Sequence, residues 1–168
     1  MADQGTVLTP GPRGLGGWLL LYVVLGAISI VVMLVQLVRD LLYAAANPAL
    51  LPAELFIVVL SVVWYGLYAL ALYHIVRLHP GAVARIKKII VGTVLVNAVL
   101  PFLFAMMLTL TVSGAQLMPI LRAAYSAETL GNLFGMCVMA AIWYRYFCVS
   151  ERVRNTWPEV GEGVSFHA

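Results

Sequence analysis

Four long apolar runs dominate this sequence and leave few folds open to it. They lie at roughly residues 17–38, 55–76, 89–112 and 130–147. Each is close to the ~20 residues that a helix needs to cross a hydrocarbon core about 30 Å thick. The runs lack the polar alternation of barrel strands, and a backbone in lipid must satisfy its hydrogen bonds internally. The pattern predicts an all-α membrane protein, a four-transmembrane-helix bundle over residues 14–157.

The composition favours lipid over water as the surroundings of these runs. Of the 168 residues, 63% are hydrophobic and 10% are charged, whereas soluble domains average about 45–50% and about 25%. No separate soluble domain is indicated, and we expect flexible tails at residues 1–13 and 158–168. The first run exceeds the ~7–15 apolar residues of a cleaved signal peptide, so we expect it to remain as a helix.

Basic residues are divided unequally between the two ends of the predicted helices. Arg39 and Arg122 flank one end, and eight others flank the end that carries both termini: Arg13, Arg77, Arg85, Lys87, Lys88, Arg145, Arg152 and Arg154. Short cytoplasmic segments carry the excess of Lys and Arg in membrane proteins. We therefore expect both termini in the cytoplasm. Because these cations flank apolar runs and are not interleaved with surface aromatics, nucleic acid is not an expected partner.

Polar side chains near the middle of the third run form a candidate intramembrane site. Thr93, Asn97 and Pro101 follow at four-residue intervals, so they share one helix face. Pro101 has no N–H to donate to the Asn97 carbonyl, which leaves a polar break. A ligand or ion could use that break, although a structural kink stabilised by neighbouring helices is commoner. Asn132, at the start of the fourth run, is a further candidate for this site.

Gly131 and Gly135 stand four residues apart at the start of the fourth run. Small residues at this spacing let two helices approach closely, so the pair predicts a helix contact within the chain or with another chain.

Trp18, Arg152 and Arg154 form a candidate surface for lipid or a partner protein. All three flank the basic ends of the runs, and basic residues beside a membrane attract anionic headgroups. The alternative is that the segment after the fourth run anchors itself and folds back under the bundle.

Catalytic and cofactor motifs are missing from the sequence. There is no HExxH, phosphate-binding glycine loop or Ser-His-Asp arrangement. His74 lies within an apolar run, but no second histidine is placed to share a haem with it. The middles of the runs hold no Asp or Glu of the kind that proton-coupled transporters need. We expect no enzyme, no metal and no cofactor.

Cys137 and Cys148 are the two cysteines of the chain. A helix separates them by about 16 Å, and a disulfide needs Cα atoms within roughly 7 Å. We expect two buried thiols and no redox pair.

The two ends of the helical region resemble a known family. Residues 14–19 read GLGGWL, and residues 142–157 read IWYRYFCVSERVRNTW. A GGWL start and a W-x-x-Y-F-x-x-S-x-R-V-x-x-T-aromatic end, separated by four runs, resemble the DUF2569 family of bacterial membrane proteins over roughly residues 14–157. The link at residues 77–80 reads RLHP where that family usually has a basic-Phe-Pro element. The resemblance implies four helices and a bacterial inner (cytoplasmic) membrane, and no assigned activity.

Two functions stay open at this point. The first is a non-enzymatic membrane component that binds lipid, a protein partner or a second copy of itself. The alternative is a small-molecule or ion permease with a polar site near Asn97. The two differ in one structural respect, because a permease needs a water-filled cavity that reaches Asn97.

Overall fold

The computed structural model describes residues 11, 13–112 and 114–158, in which the chain forms six helices. They are α1 (Trp18–Ala46), α2 (Leu51–Val76), α3 (Ala82–Thr111), α4 (Leu117–Ala124), α5 (Ala127–Val149) and α6 (Glu151–Thr156). Among the described residues, α1, α2, α3 and α5 are long and apolar enough to cross a membrane. The prediction of an all-α bundle with four spanning helices is confirmed. The tails expected at residues 1–13 and 158–168 lie almost wholly outside the described residues.

The helices extend beyond the apolar runs that predicted them. Helix α1 continues to Ala46 instead of ending near residue 38, and α3 begins at Ala82 instead of near residue 89. The added turns carry charged residues such as Arg39 and Lys87. Charge ends an apolar run but does not end a helix, because long basic side chains can extend to the membrane surface. Hydropathy therefore identifies the apolar part of each helix and underestimates the length of the whole helix.

The starts of α5 and α6 are fixed by serine caps. Ser126 Oγ accepts a hydrogen bond from the backbone N–H of Thr129 at 3.3 Å, and Ser150 Oγ accepts one from Val153 at 3.4 Å. A serine in this position satisfies one of the N–H groups that the first turn of a helix leaves unpaired. Ser150 also ends α5, so the chain changes direction there and continues as α6.

The spanning helices pack in the order α1, α2, α3, α5. Helix α1 packs on α2, α2 on α3, and α3 on α5, while α4 packs on α3 and α6 on α5. The largest buried cluster gathers where α1 and α3 begin and α2 and α5 end, and includes Leu19, Ile75, Val83, Ile86, Phe147 and Trp157. The bundle is therefore tightly packed at this end. We call it the basic end, because the eight flanking Lys and Arg residues lie there.

Two long-range hydrogen bonds hold three separate segments together at the basic end. The backbone N–H of Gly14 donates to Thr156 Oγ1 at 2.9 Å, and Trp157 Nε1 donates to the His79 carbonyl at 3.1 Å. The segment before α1, the α2–α3 link and the segment after α5 thus meet on one side of the bundle. The residues that follow α5 fold back against the helices.

Helix α3 runs unbroken past its internal proline. Asn97 Nδ2 donates to the Thr93 carbonyl at 2.8 Å, and Tyr125 Oη, from the α4–α5 link, donates to the Ala98 carbonyl at 2.6 Å. These bonds engage the Thr93 and Ala98 carbonyls, whereas the carbonyl to which Pro101 has no N–H to donate is that of Asn97.

Candidate ligand-binding cleft

The spanning helices surround a cleft of about 560 Å³, which we call the central cleft. All four long helices contribute to its wall. The lining is mostly aliphatic, aromatic and methionine side chains. Toward the basic end it includes the Tyr22 hydroxyl and the Trp143 indole, and its other polar members are Ser29, Tyr65, Tyr68, Thr93 and Asn97. These last five residues lie near the middle of the spanning helices.

Two glycines explain why the cleft opens between α1 and α5. A Cβ atom at Gly26 would lie 2.8 Å from the Tyr68 hydroxyl oxygen, and one at Gly92 would overlap the Trp64 ring. These contacts bring α1 close to α2, and α2 close to α3. Helix α5 packs mainly on α3. Helices α1, α2 and α3 thus form a closely spaced row, and α5 lies beside α3. This arrangement leaves space between α1 and α5.

At the basic end, aromatic side chains bring α1 and α5 together. The ring centroids of Tyr22 and Trp143 are 4.8 Å apart at an interplanar angle of 66°, and those of Tyr22 and Phe147 are 5.0 Å apart at 87°. Edge-to-face pairs at these distances are the favoured aromatic geometry. Because Tyr22 and Trp143 also line the cleft, they form its wall toward the basic end.

Thr93 is fully engaged within the bundle. Its hydroxyl donates to the Ile89 carbonyl at 2.8 Å and accepts a hydrogen bond from Trp64 Nε1 at 3.3 Å. The second of these bonds ties α2 to α3. Thr93 therefore has a structural role in the cleft wall, and its hydroxyl has no proton left to donate to a ligand.

Asn97 has side-chain groups in the cleft that its own helix leaves without a hydrogen bond. Its Nδ2 uses one hydrogen in the bond to the Thr93 carbonyl. Within the described part of the chain, nothing donates to its Oδ1. An asparagine side chain offers two N–H donors and an acceptor oxygen, so one N–H and the oxygen are available to a ligand. The side chain is half-buried.

The structure brings together two of the three residues predicted for a polar site. Thr93 and Asn97 both line the central cleft. Asn132 is exposed in the second turn of α5 and does not line it. It lies near the end of α5 opposite to the basic end, whereas Asn97 is in the middle of α3. Including Asn132 in the site was wrong, because spacing along the sequence does not give the relative depth of two helices.

Gly131 and Gly135 do not mediate a contact within the described chain. A Cβ atom at either position would have nothing within 4 Å. The close approach predicted from this spacing occurs instead at Gly26 and Gly92, which have no glycine partner four residues away. A contact of Gly131 and Gly135 with another chain stays a prediction.

Trp18, Arg152 and Arg154 do not form one continuous surface. Arg152 is half-buried under the segment before α1, with its Nη1 2.5 Å from where a Cβ at Gly16 would be. Arg154 is exposed two residues further along α6, and residues two apart point to different sides of a helix. Trp18 is 65% exposed and meets Trp143 edge to face. Arg152 thus belongs to the packing of the basic end.

The expectation of two buried thiols was wrong. Cys137 and Cys148 are both free and exposed on α5. Apolar sequence around a cysteine predicts burial in a soluble protein, but in a spanning helix the same neighbours face lipid.

One comparison with known proteins decides the family. Residues 12–158 match the model of a family described as "Protein of unknown function (DUF2569)". The chain is a member of the DUF2569 family. The match includes the four spanning helices, every polar residue of the central cleft and the segment that folds back after α5. No curated protein and no solved structure matches the chain. DUF2569 membership confirms the resemblance of the two end segments and carries no activity with it.

Proposed function

We propose that this DUF2569 protein is a non-enzymatic component of a bacterial inner membrane that binds a lipid in the central cleft. Both termini are in the cytoplasm in this proposal, as the eight-to-two distribution of basic residues favours. The observation that carries the proposal is the cleft itself, whose volume of about 560 Å³ falls within the ~300–1,000 Å³ of small-molecule sites.

The chemistry of the wall favours a lipid over water or a polar solute. Water in a cavity needs two to four polar partners, and three polar groups of this wall already bond within their own helices, as Ser29 does with the Leu25 carbonyl at 2.8 Å. A hydrocarbon chain fills such a space with dispersion contacts. The free amide groups of Asn97 would hold an ester, amide or hydroxyl group of the same molecule.

A variant that fills the cleft tests this proposal. Ser29 lines the cleft, and Ala27 is an exposed residue of the same helix that does not. We expect Ser29→Phe to lose lipid that co-purifies with the wild-type chain, and Ala27→Phe to retain it. Lipid bound per chain is measured by native mass spectrometry after detergent exchange. Equal lipid content in both variants would contradict the proposal.

A permease is the second candidate, and the reach of the cleft to Asn97 supports it. The measurement that separates the two is water access. In a background with Cys137→Ser and Cys148→Ser, a charged thiosulfonate reagent should leave Asn97→Cys unmodified from both sides of the membrane if the cleft holds lipid. Modification from either side would favour the permease.

A further inference from the structure

Helices α3 and α5 form a second groove, on the other side of their contact from the central cleft. It encloses about 540 Å³ and we call it the α3–α5 groove. Val91 and Leu95 form its α3 side, and Cys137, Ala141, Arg145 and Cys148 are on its α5 side. Helix α5 places Arg145 about 12 Å closer to the basic end than Cys137, from a rise of about 1.5 Å per residue. The groove is thus apolar at one end and cationic at the other.

A second cation lies at the same end of the groove. Lys87 Nζ is 6.0 Å from the ring centroid of Tyr144, and Tyr144 lines the groove beside Arg145. Lys87 precedes Val91 by one helical turn on α3, which places it just beyond the apolar wall. The two cations therefore approach the groove from its two sides.

Neither cation has a carboxylate partner among the described residues. Within residues 13–112 and 114–158, Arg145 forms no ion pair, and Lys87 has Tyr144 as its partner. The described carboxylates of Asp40, Glu54 and Glu128 are at the far ends of their helices, and Glu151 begins α6. Basic side chains near a bilayer pair with other groups or with lipid headgroups. The groove therefore has positive charge that the described chain does not balance.

We propose that the α3–α5 groove binds one anionic phospholipid, with its phosphate at Arg145 and Lys87 and an acyl chain along Val91 and Leu95. A phospholipid has this same order of groups along the membrane normal, a negative head at the interface and a hydrocarbon chain toward the middle. The two cations neutralise the charge of the phosphate, and the apolar wall contacts the acyl chain. The groove shares Ile90, Val94 and Ala140 with the wall of the central cleft, but Arg145 and Lys87 do not line that cleft.

Charge removal with a matched control tests the headgroup contact. The double variant Lys87→Gln/Arg145→Gln removes both cations of the groove, whereas Arg39→Gln/Arg122→Gln removes two cations at the opposite end. The purified full chain in detergent is titrated with dioleoylphosphatidylglycerol and bound lipid is counted by native mass spectrometry. We expect the groove variant to bind roughly 25-fold more weakly, about fivefold per charge. Equal loss in the control pair would overturn the proposal.

The native thiols give a test that needs no charge variant. With Cys137→Ser, Cys148 is the remaining thiol and lies in the groove beside Arg145. We expect phosphatidylglycerol to slow its reaction with a maleimide, and phosphatidylcholine or inorganic phosphate to leave the rate unchanged. Equal protection by phosphatidylcholine would show a site without charge selectivity, and protection by inorganic phosphate would show a free-anion site. Either result overturns the proposal.

Two further variants separate this proposal from other causes of failure. Arg145→Lys keeps the charge, and we expect it to bind phosphatidylglycerol within about threefold of the wild type, since Lys remains a point charge for phosphate. If it binds as weakly as Arg145→Gln, the contact is structural and the proposal fails. Ser29→Phe, which fills the central cleft, should leave the protection of Cys148 unchanged. A loss of protection there would show that the two sites are one.

Discussion

Trp157 donates its indole N–H to the backbone carbonyl of His79, which stands 78 positions earlier in the chain, at 3.1 Å. The Trp157 side chain is also buried, in one cluster with Val83 and Ile86 of the first turns of α3. The aromatic residue that ends the C-terminal motif thus fills the core at the basic end. This gives the motif a structural explanation that needs no ligand.

Replacing Trp157 should cost more stability than replacing any exposed aromatic residue. Trp157→Ala removes a fully buried ring, and we expect a loss of about 3–5 kcal/mol in the free energy of unfolding. Trp157→Phe keeps most of the packing and loses the hydrogen bond, so about 1–2 kcal/mol is expected. Unfolding in detergent followed by circular dichroism measures both. Trp18→Ala is the control, because Trp18 is 65% exposed; a similar loss there would contradict this account.

Adding one methyl group should have opposite effects at two helical glycines. Gly92→Ala forces the Trp64 ring to move, and we expect a loss of about 1–3 kcal/mol from overpacking. Gly131→Ala meets nothing within 4 Å and gains helix propensity, up to about 1 kcal/mol. Thermal unfolding of the two variants side by side provides the comparison. If both behave alike, the close approach of α2 and α3 at Gly92 is wrong.

Replacing Leu78, in the α2–α3 link, with glycine should stabilise the protein. Leu78 has a φ of 52°, a left-handed conformation that costs a residue with a Cβ roughly 1–2 kcal/mol. We expect Leu78→Gly to raise the midpoint of thermal unfolding, and Leu78→Val, whose branched Cβ fits that conformation worse, to lower it. A lowered midpoint for Leu78→Gly would mean that the Leu78 side chain contributes more than its backbone strain costs.

The orientation of the chain is open to a direct labelling experiment. Pro48 and Pro80 are exposed residues in the α1–α2 and α2–α3 links. In a background without native cysteines, an impermeant maleimide added to intact spheroplasts should label Pro48→Cys. It should label Pro80→Cys only after the membrane is opened, because the basic end faces the cytoplasm in our proposal. The reverse pattern would invert the topology.

Sequence patterns predicted those features that depend on one helix at a time. Hydropathy located the four spans, and the four-residue spacing of Thr93 and Asn97 placed both on one face. Relations within a helix follow from its 3.6-residue period alone. The predicted bounds of the spans were least accurate at the helix ends, where Arg39 and Lys87 lie on helical turns outside the apolar runs.

Contacts between two helices could not be predicted from sequence patterns in the same way. A glycine in an apolar run shows that a close approach is sterically allowed, but not which side chain approaches. Gly26 and Gly92 have such neighbours, and Gly131 and Gly135 have none. The central cleft is a consequence of the first pair, so its existence was not predictable from spacing. The exposed thiols of Cys137 and Cys148 were missed for a related reason, since hydropathy does not separate lipid contact from burial.

Trp157 follows the last spanning helix in the chain, so the spanning helices can insert into the membrane before the core at the basic end is complete. The four spanning helices end at Val149, and the residue that fills the core beneath them comes afterwards. Chains are made from the N-terminus and their earlier parts can fold first, so α1 to α5 can enter the bilayer before the basic end is closed. A ribosome that stalls between these two positions would leave an inserted but unfinished protein. The core at the basic end is therefore completed by a residue that is synthesised after the last spanning helix.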